Sequence, residues 1–164
     1  MPINVPQRYI PKYLTRKQKE KTRSELKKSR QKYKKGKYYT RAKIAKLKEK
    51  KSQHILNAER MYKLNNLSLN AELAKKTQCS LPTLKKIFQK GQGAYYSSGS
   101  RPNQTPHSWA YARLASGITG GKASAVDYKL LESGCKSTSK ALRLAKKSYI
   151  TYKKGTRRVP KVRL

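Results

Sequence analysis

Seven acidic side chains stand against 42 lysines and arginines in this chain, a formal net charge of +35 at pH 7. Internal pairing cannot neutralise that excess, because at most seven cations can find a carboxylate of their own. The fold must be built from the apolar segments between the charges. The native state is expected to meet a large negative surface, of which nucleic acid, acidic protein and anionic membrane are the usual three. With 164 residues there is room for one domain with a modest core, so the sequence reads as a small core carrying arms.

The charge is concentrated towards the ends. Residues 15–51 hold 18 basic and 3 acidic residues, 52–90 hold 7 and 2, 91–135 hold 4 and 2, and 136–164 hold 11 and none. No run approaches 18 apolar residues, and MPINVPQRYIPKYL lacks the continuous apolar stretch of a signal peptide. The expectation is a soluble, non-secreted protein without a membrane span, which leaves contact with an inner-membrane surface open. Cys79 and Cys135 are far apart in sequence, and Cys79 lies in an apolar helical context, so free or buried thiols are expected rather than a disulfide. His54 and His107 stand at no metal-ligand spacing with them, and no metal is assigned.

Four segments follow. Residues 1–14 place Ile3, Val5, Tyr9, Ile10, Tyr13 and Leu14 between Pro2, Pro6 and Pro11, the pattern of an extended arm with an apolar side that docks on a partner. Residues 15–51 form a basic helical segment, in which Thr15 opens a helix over TRKQKEKTRSELKKSRQKYKKG that Gly36 can stop. With only Leu26 and Tyr33 as large apolar residues, this helix is expected to bridge solvent or lie on an outside partner. Residues 52–154 form a small helical domain with a Gly/Ser/Tyr loop at 91–107, and 155–164 a short basic tail. The fold class is mainly α.

Within the helical domain, Ser52, Asn70, Ser80, Ser108 and Ser139 are candidate helix caps, and Gly91, the Gly120-Gly121 pair and Gly134 candidate stops. Lys122 to Ser133 reads as one helix. The lone tryptophan, Trp109, is expected at the centre of the core. The pair of helices around LNAELAKKTQCSLPTLKKIFQKG has the spacing of a helix-turn-helix, with Gln78 where that motif usually has glycine. As a reader it would turn Thr83, Lys85, Lys86, Gln89 and Lys90 to DNA; as an ordinary helical hairpin it would only expose lysines.

The stretch GQGAYYSSGSRPNQT at 91–105 carries one charge, Arg101. Glycine and serine suit a phosphate-cradling loop, but neither GxxxxGK[ST] nor a strand followed by GxGxxG is present. Asp127 is the only aspartate, and neither histidine is spaced to serve as base to a nucleophile. No catalytic residue, cofactor or enzymatic activity is assigned. The loop reads either as a contact surface, with Tyr95, Tyr96 and Arg101 as the contact residues, or as cover for the core.

The run GQGAYYSSGSRPNQTPHSWAYARLASGITGGKASAVDYKLLESGCK, preceded by YIPKYLTRKQ and KKGKYYTRAK, resembles a family of small basic proteins encoded by nucleocytoplasmic large DNA viruses, including those that infect algae. The likeness spans about residues 8–147 and is sharpest at GAYYSSGSRPNQT, SWAYARLAS and GGKASAVDY. It implies no activity and no catalytic residues. It implies a virion of large icosahedral architecture, where small basic proteins serve beneath the capsid or on the genome.

Two functions follow as expectations. The first is a minor capsid protein in the capsid interior, made in the host cytoplasm or nucleus, bridging major capsid subunits on the inner face of the shell through Ile3, Val5, Tyr9, Ile10, Tyr13, Tyr95, Tyr96 and Arg101. The second is a DNA-binding protein that condenses or reads the genome. Its contacts would be Lys27, Lys28, Arg30, Lys34, Lys35, Lys85, Lys86, Lys146, Lys147, Arg157 and Arg158. The apolar arm favours the first, since DNA condensation gives no reason for it.

Overall fold

The computed structural model of the chain describes residues 2–48 and 50–164 and is mainly α-helical. Among the described residues are eight α-helices, one 3₁₀ turn and one two-stranded sheet. None of the helices is long and apolar enough to cross a membrane. The chain divides into two compact units: segments up to Lys50, 92–109 and 158–164 make the first, and 51–91 with 110–157 the second. The arm, the basic segment up to Lys50 and the tail from Arg158, expected as separate segments, thus share one unit with residues 92–107 of the Gly/Ser/Tyr stretch, which was expected to be a loop of the helical domain.

In the first unit the arm and the tail pair with each other. Strand β1 (Asn4–Pro6) lies antiparallel to β2 (Lys161–Arg163), with Val5 opposite Val162. The Gln7 N–H donates to the Pro160 carbonyl at 2.9 Å and the Leu164 N–H to the Ile3 carbonyl at 2.8 Å. A 3₁₀ turn, Gln7–Tyr9, follows, and Val5, Tyr9, Ile10, Leu26 and Leu164 close a small core. The expected docking arm is therefore corrected: Val5, Tyr9, Ile10 and Leu14 are spent inside the chain's own fold, and Ile3 and Tyr13 alone of its proposed contacts stay exposed. Each of those buried side chains contributes about 1.5–3 kcal/mol where it lies.

Helix α1 (Arg16–Lys34) starts as the sequence reads, with a capping box. The Gln18 N–H donates to the Thr15 hydroxyl at 3.2 Å, and the Thr15 N–H to the Gln18 side-chain oxygen at 3.0 Å. It does bury a face, contrary to expectation. Thr22, Leu26 and Ser29 follow one another at helical spacing and are all buried, so two small polar side chains stand in for apolar ones. Gly99, at φ +134°, makes that approach feasible, because a Cβ there would lie 2.8 Å from Leu26 and 3.0 Å from Tyr9.

The second unit is a helical cluster. Its elements are α2 (Gln53–Met61), α3 (Ala71–Thr77), the first part of α4 (Leu81–Ser97), most of α5 (Pro106–Ile118), α6 (Lys122–Val126), α7 (Tyr128–Gly134) and α8 (Lys140–Thr151). Ser52, Asn70 and Ser139 accept from the first turns of α2, α3 and α8 as expected. Leu73, Leu84, Ile87, Leu114, Ile118 and Leu131 fill the centre, and Ala58, Ala110, Ala115, Ala141 and Ala145 let the helices approach closely.

Five expectations give way here. Gly91 does not stop α4, which runs on to Ser97, so residues 91–97 are helix rather than loop. Helix α5 begins at Pro106, capped by Thr105, whose hydroxyl accepts from the Ser108 N–H while the Ser108 hydroxyl accepts from the Thr105 N–H. That start puts Trp109 in the first turn, half-buried and edge-on to Tyr9 at the rim of the first unit's core, not at any centre. The helix expected over Lys122 to Ser133 is two, interrupted at Asp127. Cys79 and Cys135, 56 residues apart, form a disulfide where the α3–α4 turn meets the end of α7. Closing a loop of that length contributes about 4 kcal/mol by constraining the unfolded chain.

Gly91 serves close packing rather than a turn: a Cβ at this position would stand 2.7 Å from the Ala110 backbone, whereas one at Gly93 would meet nothing within 4 Å. Gly91→Ala should therefore destabilise the protein by about 1–3 kcal/mol. Gly93→Ala, in the same helix, should stabilise by about 0.5–1 kcal/mol. Urea midpoints compare them, and equal shifts would contradict the close approach.

Candidate nucleic-acid interface

The neutral stretch at 91–105 is an internal brace, and its centre is one arginine. The Arg41 guanidinium lies over the Tyr95 ring at 3.7 Å from the centroid. One of its terminal nitrogens donates to the Tyr95 carbonyl at 2.8 Å and to the Ser29 hydroxyl at 2.9 Å; the other donates to the Ser100 hydroxyl at 2.7 Å. The Arg41 N–H completes the ring by donating to the Tyr95 hydroxyl at 2.9 Å. A planar fork with fixed donors suits this set of acceptors, and a lysine could not reproduce it. Burial lowers the Arg41 pKa from its usual value, opposed by the neighbouring Tyr95, Tyr9 and Glu25. Burial likewise raises the Tyr95 phenol.

Tyr95 is fully buried, so its reading as a partner contact is corrected: it serves the fold. Tyr96 is half-buried, and Arg101 remains exposed. Asn103, in the left-handed region at φ +61°, holds the segment after Arg41. Its amide oxygen accepts from the Ile44 N–H at 2.6 Å, and its nitrogen donates to the carbonyls of Ile44 and Leu47 at 3.2 and 2.9 Å. A cavity of ≈ 20 Å³ beside Arg41, Glu25 and Asn103 has room for about one water and no organic ligand.

The basic residues singled out in the sequence lie mostly at the surface. Lys27, Lys28, Lys34 and Lys35 are exposed along and just beyond α1, with the Lys28 ammonium 4.6 Å from the Tyr39 ring centre. Arg30 is half-buried and donates to the Ser98 carbonyl at 2.8 Å, so part of its fork is committed to the fold. In the second unit Lys85 and Lys86 on α4, Lys146 and Lys147 on α8, and Arg157 are exposed, as is Arg158 in the first.

The helix-turn-helix reading is cut back. Gln78 does take the left-handed conformation that a turn glycine would supply, at φ 57° and ψ 32°. Ser80 caps α4 weakly, its hydroxyl accepting from the Thr83 N–H at 3.4 Å. But Thr83 is buried with its hydroxyl bonded to Ser80, and Lys90 is held by Asp127. Lys85, Lys86 and Gln89 are what the helix offers outward.

Asp127 is a functional-looking residue with a structural task. Its carboxylate is buried, accepts two bonds from Arg113 at 3.0 and 2.9 Å, and accepts one from Lys90 at 2.7 Å. Two cations on one buried carboxylate satisfy it and tie α4, α5 and the α6–α7 junction within the second unit. Among the described residues, no three His, Cys, Asp or Glu side chains cluster as metal ligands would.

A model described as a family of unknown function (DUF5824) matches residues 6–133, most of the chain. No curated protein and no solved structure matches it.

Replacing Arg41 by lysine keeps the charge and removes the fork. We expect a loss of about 2–3 kcal/mol, followed through Trp109 fluorescence, which sits on the core of the same unit. A change within a few tenths would show that the charge alone, and not the planar set of bonds, holds the segment.

Proposed function

We propose that this chain, which belongs to the DUF5824 family, binds the phosphate backbone of DNA without sequence selectivity and has no catalytic role. One observation carries the reading: the 42 cations outnumber the carboxylates by 35, and Lys27, Lys28, Lys34, Lys35, Lys85, Lys86, Lys146, Lys147, Arg157 and Arg158 are held at the surface by a folded chain. Displacing condensed counterions from phosphates supplies the affinity of such a surface. The setting, the genome inside the virion of a large DNA virus, rests on the sequence resemblance.

A second reading is the minor capsid protein that bridges major capsid subunits on the inner face of the shell. Ile3 and Tyr13 favour it, because both stay exposed although Val5, Tyr9, Ile10 and Leu14 of the same arm are buried. Its support is narrower than the sequence suggested, since Val5, Tyr9, Ile10 and Tyr95 are occupied within the fold. Opened particles treated with nuclease part the two: release with the genome supports the first reading, and retention in the emptied shell the second.

The Lys85→Ala, Lys86→Ala double variant tests the mode of binding. Affinity should fall alike for unrelated duplex sequences, and the slope of log affinity against log salt should shrink by about two phosphate contacts. A loss confined to one preferred sequence would instead support the helix-turn-helix as a reader.

A further inference from the structure

Tyrosines are unevenly placed on the first unit. Helix α1 ends in a tight reversal: the Gly36 N–H donates to the Tyr33 carbonyl at 2.9 Å and the Lys37 N–H to the Lys32 carbonyl at 2.9 Å, with Gly36 in the left-handed region at φ +71°. The reversal brings Tyr38 back beside Tyr33, ring centres 6.3 Å apart, and against Tyr96 at 4.9 Å. Tyr96 meets Tyr95 edge-on at 5.3 Å, and Tyr95 is the ring under Arg41. The row is thus anchored at its inner end and open at its outer one. Tyr38 is 75% exposed and Tyr33 39%.

An open row of rings is an odd use of tyrosine unless something stacks on it. Here the surroundings point to what does: Lys34, Lys35 and Lys37, all exposed, lie in the same turn as the two outer rings. A protein partner with an apolar face would gain nothing from three ammonium groups at the rim. A chain of flat aromatic groups joined by phosphates matches both features at once, rings to bases and ammonium groups to phosphates. We propose that Tyr33, Tyr38 and Tyr96 form a stacking platform for unpaired bases of single-stranded nucleic acid. The proposal rests on the nucleic-acid reading above and adds a preference that phosphate contact alone does not give.

The test uses the full chain and three labelled probes of equal length: a thymidine single strand, an abasic single strand with the same phosphates, and a duplex. The chain should bind the thymidine strand on the order of tenfold more tightly than the abasic one. Tyr38→Leu should remove most of that ratio while changing duplex affinity less than twofold, and Tyr38→Phe should keep it. Because Tyr38 is exposed, the variants are expected to fold, and circular dichroism checks this. Equal binding of the thymidine and abasic strands, or a Tyr38→Leu loss shared equally by the duplex, would overturn the platform and leave the general reading standing. Failure of the unaltered chain to bind any of the three probes would overturn both.

Discussion

Electrostatic self-repulsion is the constraint around which this molecule is arranged. With 42 cations and 7 carboxylates, the fold can draw little from ion pairs, and the cations must be either spread over the surface or solvated by neutral acceptors. Both solutions are present. Arg41 is taken inward and surrounded by a tyrosine ring, a backbone carbonyl and two serine hydroxyls rather than a carboxylate. Asp127, one of the few acids, is shared between two cations in the second unit. The remaining stability comes from small apolar clusters, alanine-lined helix contacts and a disulfide.

That economy explains the termini. A first unit with a single large apolar residue buried on its basic helix, Leu26, needs apolar partners from elsewhere. It takes them from the first fourteen residues and from Leu164, joined by the β1–β2 pair. The neutral stretch at 91–105 belongs to the same requirement. Buried Tyr95, the close approach at Gly99 and the Asn103 clamp need residues without charge.

Local signals were legible and distant ones were not. Thr15, Ser52, Asn70 and Ser139 announced helix starts because capping is settled within three or four residues, and Gly36 announced a stop for the same reason. The pairing of Val5 with Val162 and the bond between Cys79 and Cys135 depend on the whole fold, and nothing near either residue marks its partner. Gly91 misled because a glycine that admits Ala110 looks in sequence like one that ends a helix. Arg41 was hidden as one of 18 basic residues in 15–51, and only its place over Tyr95 separates it from the others. Of the residues expected to meet nucleic acid, most are exposed as read; of those expected to meet protein, Val5, Tyr9, Ile10 and Tyr95 proved to be core.

In the proposed reading the surface of this protein is a polyelectrolyte partner and its interior the means of presenting it. The most direct measurement is the affinity of the intact chain for a random-sequence duplex across a range of salt concentrations. Log affinity should fall along a straight line against log salt with a slope of several units, indifferent to sequence. Affinity that stays flat as salt rises would contradict the proposed reading, because binding would then owe nothing to the charge that shapes the whole molecule.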